Sequence, residues 1–213
     1  MKKIVTIIDY GSGNLRSVYN ALTLIDTEHY KFQISSDPED LKKSNKIILP
    51  GVGAFADCIG SLSKIEKMTD ILREEVLVKK KPFLGICVGM QLLADFGHEY
   101  GKNLGLGFIP GKVIKIDNHN DELKIPHIGW NELNICQDHY ILEGIKNYEH
   151  FYFVHSYHFV PKKYDDVIAK VSYGQDLVAI IAKDNIVATQ FHPEKSGESG
   201  IKLLRNFIYY EQI

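Results

Sequence analysis

The chain has 213 residues, 45% hydrophobic and 24% charged, enough apolar material for one large buried core and an ordinary balance for a soluble globular protein. A formal net charge of −2 and a pI near 6.5 lack the basic excess that nucleic-acid binding normally shows. The three cysteines, Cys58, Cys87 and Cys136, are odd in number and without paired spacing, which argues against a disulfide framework and fits a reducing cytoplasm. In chain order, residues 3–8 form a β-branched run that stops at Asp9, too short for a signal-peptide core or a membrane span. The turn DYGSGN follows, then helical apolar spacing over 14–25. Strand-like runs recur at 31–34, 46–49 and 82–86, separated by helix-compatible stretches at 37–43 and 55–80. The basic run Lys79-Lys80-Lys81 reads as the solvated end of that last helix. Uniformly apolar strands alternating with helices indicate an α/β fold with a parallel sheet covered on both faces. Beyond about residue 105, β-rich runs at 112–116, 131–135, 151–160, 167–172, 177–183 and 186–191 follow with few helical windows. They are expected to extend the sheet with antiparallel strands before a closing helix at 199–210. No repeat and no Pro/Gly/Ser-rich linker interrupts the chain, which predicts a single domain over 1–213.

The stretch FLGICVGMQLL (83–93) places Cys87 in the pattern Gly85-x-Cys87-x-Gly89, the spacing of a nucleophile elbow with sulfur in place of hydroxyl. A buried strand precedes it and a helix start follows, so Cys87 falls at a strand-to-helix corner. A tight turn of that kind leaves no room for side chains two residues either side. The helix N-terminus favours an anionic sulfur, and the Val88 N–H is aimed where an oxyanion would form. Free cysteine is also among the most buried residue types, so this segment alone leaves Cys87 open between packing and chemistry. Cys58 and Cys136 lack the flanking glycines and read as structural.

A thiol nucleophile requires a base, and the base an orienting partner. In ATQFHPEKS (188–196) an apolar strand runs into His192, Pro193 and Glu194. Residues two apart in extended chain point the same way, so Glu194 can hold one ring nitrogen while the other faces a nucleophile. Gly51-Val52-Gly53 follows another buried strand, and the Val52 backbone can supply a second oxyanion N–H. All three segments would lie at the carboxyl ends of strands, where open α/β sheets bind ligands. The glycines at 51–53 are not followed by the Lys-Ser/Thr of a phosphate loop, and Arg16 replaces the third glycine of a dinucleotide fingerprint. Cys136-x-x-His139 and His155-x-x-His158 lack companion pairs, so neither a metal nor a cofactor is expected.

The cysteine elbow, the late His-Pro-Glu and the Pro-Gly-x-Gly loop resemble the class I (triad) glutamine amidotransferases. IDYGSGNLRSV (8–18), LPGVGAF (49–55), GICVGMQLL (85–93), PHIGWNEL (126–133), YFVHSY (152–157) and TQFHPEKSGESG (189–200) resemble one branch, the glutaminase subunits of imidazole glycerol phosphate synthases in histidine biosynthesis. This resemblance implies a flavodoxin-like α/β fold that hydrolyses glutamine to glutamate and ammonia, with Cys87 as nucleophile and His192 oriented by Glu194. It also implies a substrate pocket that includes Gly51, Gly53, Gln91, His155, Ser156 and Tyr157. The implied partner is a (β/α)8-barrel cyclase subunit that receives the ammonia, docked near Asn14, Trp130 and Lys195. Trp130 is accordingly expected to be partly exposed in the free subunit. Alternatives are a paralogue supplying ammonia to a surface-sugar amidination synthase, a γ-glutamyl hydrolase or cysteine peptidase on the same triad, and an inactive scaffold, against which the intact Cys87, His192 and Glu194 argue.

Overall fold

In the computed structural model, which describes residues 2–118 and 123–211, the first half of the chain lays down parallel strands. These are β1 (Lys3–Ile8), β2 (Tyr30–Ser35), β3 (Lys46–Gly51) and β4 (Phe83–Cys87). Every residue of β3 and β4 is buried, as required of central strands covered on both faces. The connections are α1 (Leu15–Thr23), α2 (Pro38–Lys43), α3 (Phe55–Lys64) and α4 (Met68–Arg73). The chemistry of the α2 ends matches its short length. Asp37 accepts the Glu39 N–H at 2.9 Å, Pro38 opens the first turn, and Lys42 and Lys43 sit at the negative end of the dipole.

The helix-compatible stretch 55–80 does not form one helix. Lys67 adopts left-handed geometry (φ 64°), separating α3 from α4, and residues 74–78 form a π-turn. The phase of the apolar side chains explains the break. Phe55, Cys58 and Leu62 face the core from α3. At about 100° per residue an unbroken helix would carry Met68 about 120° away from Leu62. Restarting the helix brings Met68, Ile71 and Leu72 back to the core. The lysine run is also not a solvated helix end throughout. Glu75 is fully buried, with Lys79 and Lys81 each 2.6 Å from its carboxylate, and the Lys81 side chain is only 16% exposed. These lysines supply the counter-charge that a buried carboxylate requires.

After β4 come α5 (Val88–Gln91), β5 (Phe96–Gly97), β6 (Asn103–Leu104), β7 (Gly111–Lys115), β8 (His127–Glu132) and β9 (Asn134–Ile135). The chain ends with β10 (His150–His155), β11 (Tyr157–Pro161), β12 (Val167–Tyr173), β13 (Gln175–Lys183), β14 (Ile186–Thr189) and α6 (Gly197–Tyr209). The main sheet has eight strands in the order β2-β1-β3-β4-β14-β13-β12-β9. It is parallel from β2 to β14 and antiparallel from β14 to β9. Only part of the β-rich half extends this sheet. The expected strand at 151–160 splits at Ser156, where the burial alternation of Phe151, Phe153 and His155 slips phase. Its first part pairs with β8 in a two-stranded ribbon, and its second joins β7, β5 and β6 in a four-stranded sheet. The expected strand at 131–135 divides in the same way between β8 and β9. No helix among the described residues is long and apolar enough to cross a membrane.

Three adjacent strands position the site. Gly51 of β3 lies beside Cys87 of β4, and Thr189 of β14 lies beside Ile86. All three therefore release their loops at the carboxyl end of the sheet. The corner after β4 depends on Gly89, where an added Cβ would lie 1.8 Å from the Leu49 carbonyl oxygen. Gly89→Ala is expected to lower unfolding free energy by about 3 kcal/mol, measured by urea denaturation, because both clashing partners are backbone.

Candidate functional site

Cys87 ends β4 with φ 55° and ψ −112°, a conformation that non-glycine residues rarely adopt. Its neighbours leave no alternative. An added Cβ at Gly85 would meet the Gly89 carbonyl oxygen at 2.9 Å, so the strand folds back onto the next turn at backbone contact. The sulfur is thereby held at the wall of a pocket of about 240 Å³. His192 enters the same pocket from the loop after β14.

Glu194 binds His192 from behind. Its Oε1 lies 2.8 Å from Nδ1, and the two side chains are 2% and 1% exposed. Nε2 makes no hydrogen bond of ordinary geometry among the described residues, yet the ring and the Cys87 sulfur are near enough to interact electrically. Burial disfavours the imidazolium, but interactions with Cys87 and Glu194 outweigh it and raise His192 to about 10. A cationic His192 beside the sulfur equips the site for acyl transfer: one group attacks a carbonyl and the other protonates the leaving group.

Most of the other expected residues meet at this pocket. Val88, Gln91, His155, Ser156 and Tyr157 line it together with Val52 and Gly53. Gln91 is buried, and its Nε2 donates to the Tyr157 carbonyl at 2.9 Å and to Gln190 Oε1 at 3.1 Å. Two expectations need correction. Gly51 does not line the pocket: it is packed inside the sheet, where a Cβ would meet the Tyr10 hydroxyl at 2.6 Å and the Gly89 nitrogen at 2.9 Å. The Val52 N–H, expected as an oxyanion donor, is instead directed to Ser12 Oγ at 3.4 Å, while that hydroxyl donates to the Val52 carbonyl at 2.5 Å. The hydroxyl competes for this peptide, and Val88 is the N–H that begins α5 beside the sulfur. Cys58 is buried beside Ser12, whereas Cys136 is exposed rather than packed in the core.

Trp130 is 56% exposed on β8 and packs edge-on against Tyr152, with ring centroids 6.2 Å apart. The Lys195 Nζ lies 5.8 Å over the same Tyr152 ring. Asn14 is half-buried just before α1, a helix that packs against the 193–195 turn.

Two polar residues at the site are absent from the sequence-based set. Glu99 lines the pocket, and its Oε2 accepts the Phe55 N–H at 2.7 Å. It comes from an ordinary polar loop and carries no local signal. Gln190 is fully buried, and its Nε2 lies 3.8 Å from the Cys87 sulfur. A polar residue inside the apolar run 186–191, two places before His192, was a readable sign.

A thiol on a strand-to-helix corner, a carboxylate-held histidine and a pocket between them define an α/β enzyme of the acyl-transfer class. The chain belongs to the glutamine amidotransferase class-I family, whose model matches residues 6–210. It is 46% identical over 204 residues to the imidazole glycerol phosphate synthase subunit HisH of Pelagibacter ubique, covering 96% of this chain and 98% of that protein. It is 49% identical over 208 residues to the subunit of the same name from Rhodospirillum rubrum, covering 96% and 97%. Among solved structures, a glutamine amidotransferase crystal structure superposes with a TM-score of 0.73 at 21% identity, covering 96% of each chain. PurLQS from Thermotoga maritima gives 0.73 at 20% identity, covering 98% of each chain. These two likenesses concern the fold.

The raised pKa of His192 sets a signed pH dependence. Its contribution to stability is fully present below the unfolded value of 6.5 and is lost as pH rises through about 10. Nitrogen-15 NMR is expected to show His192 protonated at pH 8. Glu194→Gln should lower its titration and reduce turnover roughly 100-fold, the scale of acid–base catalysis. A His192 that is neutral at pH 8 in the wild type would refute the ion-pair description.

Proposed function

We propose that this chain is the glutaminase subunit of an imidazole glycerol phosphate synthase in histidine biosynthesis, hydrolysing glutamine to glutamate and ammonia at Cys87. One observation carries the reading: Cys87 and the His192–Glu194 pair meet at a single pocket in a chain that matches HisH relatives along almost its whole length.

The sulfur, as thiolate, attacks the side-chain amide carbon of glutamine, and the carbonyl electrons move onto oxygen. The Val88 N–H stabilises that oxyanion. The imidazolium of His192 delivers its Nε2 proton to the departing nitrogen, and ammonia leaves as the thioester forms. Neutral His192 then takes a proton from water, and the resulting hydroxide adds to the thioester carbon. Collapse of the second oxyanion expels the sulfur and releases glutamate, with His192 again cationic. Glu194 keeps Nδ1 as the donor to its carboxylate throughout, leaving Nε2 for the proton transfers. Gln91 and Glu99 provide oxygens for the ammonium end of the substrate.

The ammonia passes to a (β/α)8-barrel cyclase subunit docked on the face carrying Trp130, Lys195 and Asn14. The exposed Trp130, packed against Tyr152 with Lys195 over the same ring, supports this, since aromatic side chains are enriched at protein interfaces. Work within the cytoplasm and organisation as one domain fit the same reading.

Cys87→Ala is expected to abolish glutamine hydrolysis while leaving cyclase binding and ammonium-dependent synthesis intact. Glutaminase activity retained in that variant would refute the assignment. Titrating the cyclase into the chain should change Trp130 fluorescence and protect it from quenching; unchanged emission would place the partner elsewhere.

A further inference from the structure

Behind the pocket, polar side chains form one directed chain. Asn131 Oδ1 accepts the Glu132 N–H at 2.8 Å, and its Nδ2 donates to the Ser172 carbonyl at 3.0 Å. Those partners fix the amide, so its N–H end meets His127 Nε2, 3.2 Å away. Nε2 therefore accepts, and the His127 proton lies on Nδ1, which donates to His155 Nε2 at 3.1 Å. His155 in turn carries its proton on Nδ1 and donates to the Tyr157 carbonyl at 2.9 Å.

From that carbonyl the chain continues to the site. A carbonyl only accepts, so the Gln91 amide must present Nε2 to it. Gln91 commits its remaining amide proton to Gln190 Oε1, which leaves Gln91 Oε1 for the pocket. With its oxygen taken, Gln190 has only Nε2 to turn toward the Cys87 sulfur. A further proton on either imidazole would set two N–H groups against each other. Burial works the same way, lowering His127 to about 4 and His155 to about 3. His158 and His192, the other titratable groups acting on His155, also oppose a charge there.

We infer that His127 and His155 are positioning residues: two neutral imidazoles, each protonated at Nδ1, that orient the Tyr157 carbonyl and through it the Gln91 and Gln190 amides. Gln91 thereby keeps an oxygen toward the ammonium group of the substrate, and Gln190 keeps an N–H toward the nucleophile. The inference rests on the glutaminase reading for its substrate, but the hydrogen-bond chain exists without one.

His127 also stacks on Tyr173 and Phe153, with centroids 4.0 and 5.0 Å away, so packing must be separated from hydrogen bonding. His127→Phe keeps the ring and removes both bonds, whereas His127→Asn keeps a donor near the Nδ1 position. In the full chain assayed with its cyclase, His127→Phe is expected to raise the glutamine KM about tenfold, the scale of one well-made hydrogen bond, with kcat within about threefold. His127→Asn should restore most of the loss. Nitrogen-15 NMR of the wild type should show both rings neutral and Nδ1-protonated from about pH 5.5 to 8.5. The Gln91 side-chain amide signals should move in His127→Phe and return in His127→Asn. A ring that titrates near 6.5, an Nε2-protonated tautomer, or unchanged Gln91 signals and KM in His127→Phe would overturn the inference. A wild-type chain inactive on glutamine would instead refute the functional reading, with the NMR result still deciding the chain.

Discussion

The contact on which the site depends is between two stretches of backbone. The first turn after β4 approaches the Leu49 carbonyl so closely that only hydrogen fits on Gly89. This approach bends the chain at Cys87 into positive φ at the end of β4. Strain of this kind, of order 1–3 kcal/mol, persists only where the surroundings leave no alternative. Here they are two strands buried at every position, one carrying Gly51 and the other Gly85. The core rigidity stabilises the corner, and the corner holds Cys87 at the wall of the pocket.

Around that corner one residue type adopts two states. His192 sits beside a carboxylate and a thiol and is held cationic, with its pKa near 10. His155 lines the same pocket but has only neutral partners, and burial keeps it neutral. Both rings are buried, and the difference lies in what each ring nitrogen touches. A cationic histidine and a neutral one can therefore share a pocket of about 240 Å³.

Much of the site was legible because its local geometry has a local signature. Gly85 and Gly89 around Cys87 announce a turn too tight for side chains, and His192-Pro193-Glu194 announces two side chains on one side of extended chain. The fold class was legible from the uniformly apolar runs of β3 and β4. The misreadings have physical causes. Over 55–80 composition favours helix, but the core-facing phase cannot be kept through Lys67. The run 151–160 is β-prone throughout, yet its two halves pair with partners in different sheets. Lys79–Lys81 looked solvated because nothing nearby in sequence shows that Glu75 is buried.

The sequence by itself determined the elbow, the candidates Cys87 and His192–Glu194, and the kind of sheet that would carry them. Each of these depends on residues within a few positions of one another, where steric and periodic rules act directly. Tertiary structure decided that Gly51 packs inside the sheet and does not line the pocket, that the Val52 N–H is turned to Ser12, and that Glu99 and Gln190 reach the site. It also decided the direction of every hydrogen bond from Asn131 to Cys87. Those outcomes rest on which donor meets which acceptor across distant parts of the chain, and no short-range pattern records such a meeting.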